Sequence, residues 1–541
     1  SNIGRLFLAH HSEAQDDPEA FTHYRKVYFS GLGASFDTSL GAQAAGTMAR
    51  ADTEANKVPG SVAGGQAVQA ARDSWSGRSW WQRLQRDLGT LRDKPYHAFK
   101  VLKNTLINST AEALAPIRDS RWAAHHMKTG VDTRLQGALE RIQRELNALN
   151  TSDPAVRTIK LSVFGFDFGA TLARAFVHEL LQRSEQRGQH YYYRDARLEL
   201  MFAGLFDAVD RTSAEVPPLE FFLPTSNRVD DGGLISPEVK AVLHLVAAHE
   251  RRFYRRARLL GDSHPEWREE LLPGVSENIG GGMAPGEQKP SNELALVSLH
   301  RMYRAAFAAG SSLPAMADLP ARGRVISALF TYNDRTPSQR NAHGLARHYQ
   351  RFVGREAPSA DAFTLHMRCY IRWLAHLWAG YQGELAALRA EERRLYEGEL
   401  PALRSGIFGV VSESATQRQE RQQREQQRDL VREQRAALQA DMAWLEQVNK
   451  EAESIRRRLT HLGDAAAGNA AQKRVWEILL HEWEHPQPLP DEVAELFGFF
   501  VHDQQVLSTT QRSMKSLTGE HFFIIRGFDR PRGELPAQAA S

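Results

Sequence analysis

"LSVFGFDFGATLARAF", residues 161–176, is the stretch whose reading decides the fold. An apolar run of strand type ends in Gly165-Phe166-Asp167-Phe168-Gly169 and continues as a good helix former. That is the outline of a nucleophile elbow, G-x-S-x-G set between strand and helix, with Asp167 standing where the serine belongs. The residues leave three readings open: a hydrolase with a carboxylate nucleophile, a hydrolase that has lost its chemistry, or an ordinary strand–turn–helix. In the last, Asp167 caps the helix that begins at Phe168 by accepting its orphan backbone N–H groups. That reading explains the residue without any reaction and is preferred here.

Working outward, residues 24–36, "YRKVYFSGLGASF", read as a buried strand running into a Gly-rich turn. Residues 40–75 are rich in small side chains, and 74–150 read as an amphipathic helical insertion with Trp and Leu among Arg and Lys. Residues 197–210, "RLELMFAGLFDAVD", are a second apolar strand, ending in a carboxylate. The stretch 236–259 reads as a helix with Ser236 as N-cap and Pro237 at its first position. Residues 269–283 form a strand leading to a Gly-rich loop, and 291–309 and 361–395 are helical. This alternation predicts an α/β fold with a mostly parallel sheet covered by helices on both faces, and the elbow outline makes the expectation α/β-hydrolase-like. The expected organisation is a core over 20–382, an extended helical arm or hairpin over 383–462 turning near 406–414, a segment over 463–532 returning to the core, and a disordered tail over 533–541. The arm's "ATQRQERQQREQQRD" is too polar to be anything but solvated or partner-bound.

Composition narrows the function. Lys and Arg number 68 against 65 Asp and Glu, so bulk charge does not suggest a nucleic-acid binder. The single cysteine, Cys369, excludes an intrachain disulfide and reads as a small buried hydrophobe. The apolar run at residues 6–9 is too short for a signal peptide, and nothing approaches a membrane span of about 20 residues. The expectation is a cytoplasmic chain that leaves the cell, if at all, by a route without a cleavable leader. The Arg/Trp-rich residues 74–128 could also meet lipid headgroups.

Serine-triad α/β-hydrolases order their parts as nucleophile, acid, histidine. Here Asp167 takes the first place, Asp207 the second, and "PGVSENIGGG" (273–282) should present the third. At this point the chain resembles the lipase effectors of bacterial type VI secretion, whose elbow reads G-F-S-R-G-A. "VFGFDFGATLARAF", "YFSGLGASF", "AGLFDAVD", "LLPGVSENIGGGM" and the closing "FFVHDQQV" with "GEHFFIIRGF" match that family's segments in order, over about 24–310 and again at 495–530.

The resemblance implies a degenerate triad of Asp167, Asp207 and Ser276, with Ser276 replacing the family's histidine and Asn278 its following aspartate. It also implies an oxyanion site built on the backbone of Gly31, Gly33 and Phe168, and a loop framework of Gly165, Gly169, Gly280, Gly281 and Gly282. It further implies spike or adaptor proteins as partners and neither cofactor nor metal. Asp167 could attack carbon directly, but hydrolysing the resulting ester needs an imidazole that Ser276 cannot supply. His178, His244, His249 and His502 are the candidates for rescue. Asp167 and Asp207 are expected to face one pocket, either sharing a proton or bridged by a hard cation with Asn278 and Ser276 as further ligands. Backbone geometry is kept and side-chain reactivity altered, which points to a folded, partner-binding relative.

Overall fold

A computed structural model describes residues 1–17, 19–29, 131–149, 156–210, 235–252, 255–260, 264–283, 286, 288–397, 415–462, 470–503 and 522–529. In chain order these form α1 (Asn2–Ala9), α2 (Val131–Leu149), β1 (Thr158–Phe166), α3 (Phe168–Gln182), β2 (Glu185–Arg187), β3 (His190–Tyr193), β4 (Ala196–Phe206), β5 (Val209–Asp210), β6 (Ala241–Ala247), β7 (Arg256–Arg258), β8 (Trp267–Leu272), α4 (Ser276–Gly280) and α5 (Leu294–Ala308). There follow α6 (Ala342–Val353), α7 (Ala360–Glu397), α8 (Ala415–Asp441), α9 (Ala443–Leu462), α10 (Ala470–Glu484), α11 (Asp491–Phe499) and β9 (Phe528–Asp529), with short helical turns between some of them.

Strands β1, β4, β6 and β8 run parallel in that spatial order, and the antiparallel hairpin β2–β3 joins the start of β4. Parallel strands need a covering layer on each face, and the pleat of β4 shows both layers. Phe202 and Phe206 point to one side, into a core with Leu6 of α1 and Leu299 and Met302 of α5. Ala203 and Leu205 point to the other, against Leu139 and Leu146 of α2 and Ala170, Val177 and Leu180 of α3. A second, three-stranded sheet, β5–β7–β9, brings the C-terminal residues 528–529 back beside β7.

Two expectations fail. Residues 236–259 are not a helix: 241–247 are strand β6, buried along nearly its whole length. Its "AVLHLVA" is a continuous apolar run, which a strand flanked by parallel neighbours produces as readily as a helix does; the Ser-Pro start belongs to the turn before it. Residues 24–29 carry no strand; the rest of that stretch lies outside the described residues, as do 40–75, 74–130, 406–414 and the tail 533–541.

The remaining helices build a separate apolar core. Tyr349, Met367, Tyr370, Trp373, Leu479, Leu496 and Phe497 pack there, with Cys369 3% exposed among them. Helix α7, 38 residues and about 57 Å long, extends beyond that core. Helix α8 lies antiparallel along it, since Arg432 and Arg435 pair with Glu392 while the following α9 places Glu446 against Tyr381. No helix among the described residues is long and apolar enough to cross a membrane.

His366, on α7, is buried, with its Nδ1 2.8 Å from the Tyr349 hydroxyl. Burial lowers its pKa to about 4, and lowers that of His10 to about 4 as well. The unfolded chain, with histidines near 6.5, therefore binds protons that the folded chain refuses, and stability falls as pH drops from about 6.5 toward 4. In denaturant titrations the unfolding midpoint should decline across that window, and His366→Gln should flatten the decline between pH 6.5 and 5, above the carboxylate range.

Candidate functional site

Four loops leave the C-terminal ends of the parallel strands on one side of the sheet, where open α/β sheets place their sites. They carry Asp167 after β1, Asp207 after β4, His249 and Glu250 after β6, and Ser276 after β8.

The first is a true elbow. Asp167 has φ 57° and ψ −130°, a conformation costing an L-residue about 1–3 kcal/mol. Its N–H donates to the Phe206 carbonyl at 3.0 Å, tying the turn to β4. The sharpness of the turn demands Gly165: a Cβ there would lie 2.3 Å from the Gly169 carbonyl oxygen. Gly169 meets no such limit, since a Cβ on it would enter open space. Asp167 precedes α3 but makes no side-chain capping bond, so the capping expectation is overturned. With positive φ the carboxylate swings away from the helix end, to 3.7 Å from a nitrogen of Arg255.

Asp207, also at positive φ (49°), is fully buried. Its Oδ1 accepts the Ala247 N–H at 2.8 Å. The Ser276 hydroxyl donates to Oδ2, and the Arg526 guanidinium takes both oxygens, Nη1 on Oδ1 and Nη2 on Oδ2 at 3.0 Å. Arg526, 2% exposed, comes from the returning C-terminal segment and also donates to the carbonyls of Ala247 and Arg255.

A ladder of buried charge joins the two carboxylates. Arg255 lies 3.7 Å from Asp167 and 3.3 Å from Glu277. Arg252 forks between Glu277 at 2.7 Å and Glu250, whose Oε2 accepts the Ser276 N–H at 3.1 Å. Burial works to raise the pKa of Glu250, but the guanidiniums of Arg252, Arg255 and Arg526 hold it well below the usual carboxylate range. Four carboxylates and three guanidiniums (Asp167, Asp207, Glu250, Glu277, Arg252, Arg255, Arg526) are thus linked at the strand ends, the chain passing through Ser276 between Glu250 and Asp207. At Asp207, the place a bridging cation would take is held by a guanidinium. Asn278 is engaged elsewhere: its Oδ1 accepts the N–H groups of Val275 and His502. Among the described residues no group of His, Cys, Asp and Glu is set to hold a metal ion.

None of the four histidines singled out from the sequence stands in as the base. His249 accepts the Gly274 N–H on Nδ1 at 2.9 Å and turns Nε2 toward the His366 carbonyl at 3.3 Å. Burial lowers its pKa well below the ordinary value, so the ring is neutral. His244 accepts the Ala208 N–H on Nε2 and faces Glu269 with Nδ1 at 2.7 Å. His178 pairs with Gln182 at 2.9 Å along α3, and His502 sets Nδ1 2.8 Å from the Asn278 amide. Phe168 opens α3 with its ring buried beside Val209, while Gly31 and Gly33 lie outside the described residues. Gly281 and Gly282, past the end of α4, take positive φ.

The sequence reading missed Arg526 and the Glu250–Arg252–Arg255–Glu277 ladder. The signal was the run "HERRFYRRAR" (249–258), too basic for a buried strand-end loop unless carboxylates meet it there.

No protein-family model matches the chain, and no curated protein does. Its fold is similar to that in the crystal structure of an uncharacterized protein from Pseudomonas aeruginosa, with a TM-score of 0.50 and 17% identity over 98% of this chain and 76% of that one. Identity that low speaks to fold alone.

The glycines separate geometry from chance. A Cβ on Gly280 would sit 2.0 Å from the Phe166 ring, so Gly280→Ala should cost about 3 kcal/mol in equilibrium unfolding. Gly169→Ala, in the open first turn of a helix, should be neutral or stabilise by up to about 1 kcal/mol.

Proposed function

We propose that this chain is an α/β-hydrolase-type relative of the type VI secretion lipase effectors that does not hydrolyse and acts by binding partner proteins. The observation that supports it is the surroundings of Asp207. A triad acid holds an imidazole in the tautomer that takes the nucleophile's proton. Here the same carboxylate meets a serine hydroxyl and a guanidinium, neither of which accepts a proton at neutral pH. The partners that fit are spike or adaptor proteins of the secretion machinery, and export through that machinery is part of the same reading. The lipid contact expected of residues 74–128 falls outside the described residues.

One observation favours a second reading, an active hydrolase with Asp167 as nucleophile: the carboxylate keeps the strained conformation of an elbow and remains partly accessible, its side chain 16% exposed. Attack by Asp167 on an ester carbonyl would break the acyl C–O bond, release the alcohol and leave the acyl group on the carboxylate as an anhydride; attack on an alkyl carbon would displace that carbon's leaving group and leave an alkyl ester. Either intermediate needs an activated water for release. Among the described residues the histidines named above each face other partners, which leaves this reading without a water-activating base there.

The two part in a direct assay. Purified protein offered phospholipid vesicles and short-chain esters should release no product above the buffer rate, and Asp167→Asn should change nothing. Product release abolished by Asp167→Asn would overturn the binding-only reading.

A further inference from the structure

Residues 481–485 read "HEWEH", two histidines four residues apart with a glutamate directly after the first. On a helix that spacing sets both imidazoles on one face, and in metalloproteases the same pattern holds zinc with the glutamate as general base. Here the pair is kept and the base is withdrawn. Residues 481–484 form the last turn of α10, and the His485 N–H donates to the His481 carbonyl at 2.9 Å. His481 and His485 are both exposed, with ring centres 5.2 Å apart. Glu482 faces the helical core instead: it is 2% exposed and sits between Arg372 at 2.6 Å and Arg368 at 3.1 Å. Burial works to raise its pKa, and those two guanidiniums hold it below the ordinary value.

The two rings are already near the spacing that one ion imposes. With metal–nitrogen bonds of about 2.0–2.1 Å, two imidazoles on the same ion bring their ring centres to about 4.5–5.5 Å. Among the described residues neither ring has a hydrogen-bond partner to give up. The setting also suits positive charge. Both rings sit at the C-terminal end of a 15-residue helix, the negative end of its dipole. The cations around them are paired: Arg456 with Glu484 at 2.5 Å, Arg474 with Asp361 at 3.5 Å and Lys473 with Glu477 at 3.8 Å.

We propose that His481 and His485 form a two-nitrogen chelate for a late first-row divalent ion, Cu(II) before Ni(II), with water in the remaining positions. Groups of three or more His, Cys, Asp and Glu donors are absent among the described residues, so the pair is the whole protein contribution there. That count disfavours zinc, whose protein sites take three or four side chains. Two imidazoles and water in a tetragonal plane suit Cu(II), which also tops the affinity order of the divalent series. Magnesium and calcium want oxygen donors and do not compete. With Glu482 turned inward and paired, the ion is held without a general base beside it, so the site binds metal and does not hydrolyse. It shares no residue with the strand-end carboxylates, and neither reading depends on the other.

The test uses the full chain, stripped with a chelator and titrated with Cu(II) supplied as its glycine complex. Binding is followed by calorimetry and by electron paramagnetic resonance. The tightest site should give the spectrum of two imidazole nitrogens in the copper plane. His481→Asn and His485→Asn should each weaken it by about tenfold or more, because the second imidazole otherwise binds intramolecularly. The double variant should lose little beyond either single one, since one substitution already breaks the chelate. Both side chains are exposed, so the variants should keep the wild-type circular dichroism. Bound Cu(II) should also slow amide hydrogen exchange in the last turn of α10, which an ion on a lone histidine elsewhere would not do. Equal Cu(II) affinity in wild type and both single variants overturns the proposal. So does a one-nitrogen spectrum at the tightest site, which would mean an adventitious ion only.

Discussion

The buried pair of Asp207 and Arg526 is the constraint on which the rest of the molecule is arranged. Taking a carboxylate and a guanidinium out of water costs several kcal/mol per ion, and the cost is offset only where every lone pair and N–H finds a partner. Here each polar side-chain atom has one: Asp207 accepts from Ser276, Ala247 and Arg526, and Arg526 also donates to two backbone carbonyls. Those contacts reach into β4, β6 and the loop after β8, and they join residues 319 apart in sequence. The pair thereby fastens the C-terminal segment across the strand ends of the parallel sheet.

That arrangement supports the reading of the site as a strand-end centre held by salt bridges. Both carboxylates keep the positive φ that projects a side chain from a sharp strand-end turn, a strain that persists only when surroundings over-determine it. The surroundings are the ion ladder from Arg255 through Glu277, Arg252 and Glu250 to Ser276. Against the push of burial, its guanidiniums hold Glu250 well below the usual carboxylate range. The strand ends are thus held by a salt-bridged joint.

Much of the architecture was legible in the sequence, because turns declare themselves locally. The Gly165–Asp167 elbow, the strand ending at Asp207 and the long helix over 361–395 each carry their own signal in a dozen residues. Strand β6 did not, since "AVLHLVA" suits a buried strand and a buried helix equally and only its neighbours on both sides decide. Asp167 was misread as a cap because capping depends on backbone angles that the residue type does not state. The counter-ions were illegible for another reason: Arg526 and Asp207 are brought together by the whole fold, and nothing in either local sequence names the other. The arginines of 249–258 did announce a need for buried carboxylates, though not which ones.

A double-mutant cycle on Asp207 and Arg526 tests the central claim most directly. Equilibrium unfolding of Asp207→Asn, Arg526→Met and the double variant should show each single change costing about 3–5 kcal/mol, and the double costing far less than their sum. Costs that simply add would mean that the two side chains do not hold each other, and the account of a pocket closed by its own counter-ion would fail.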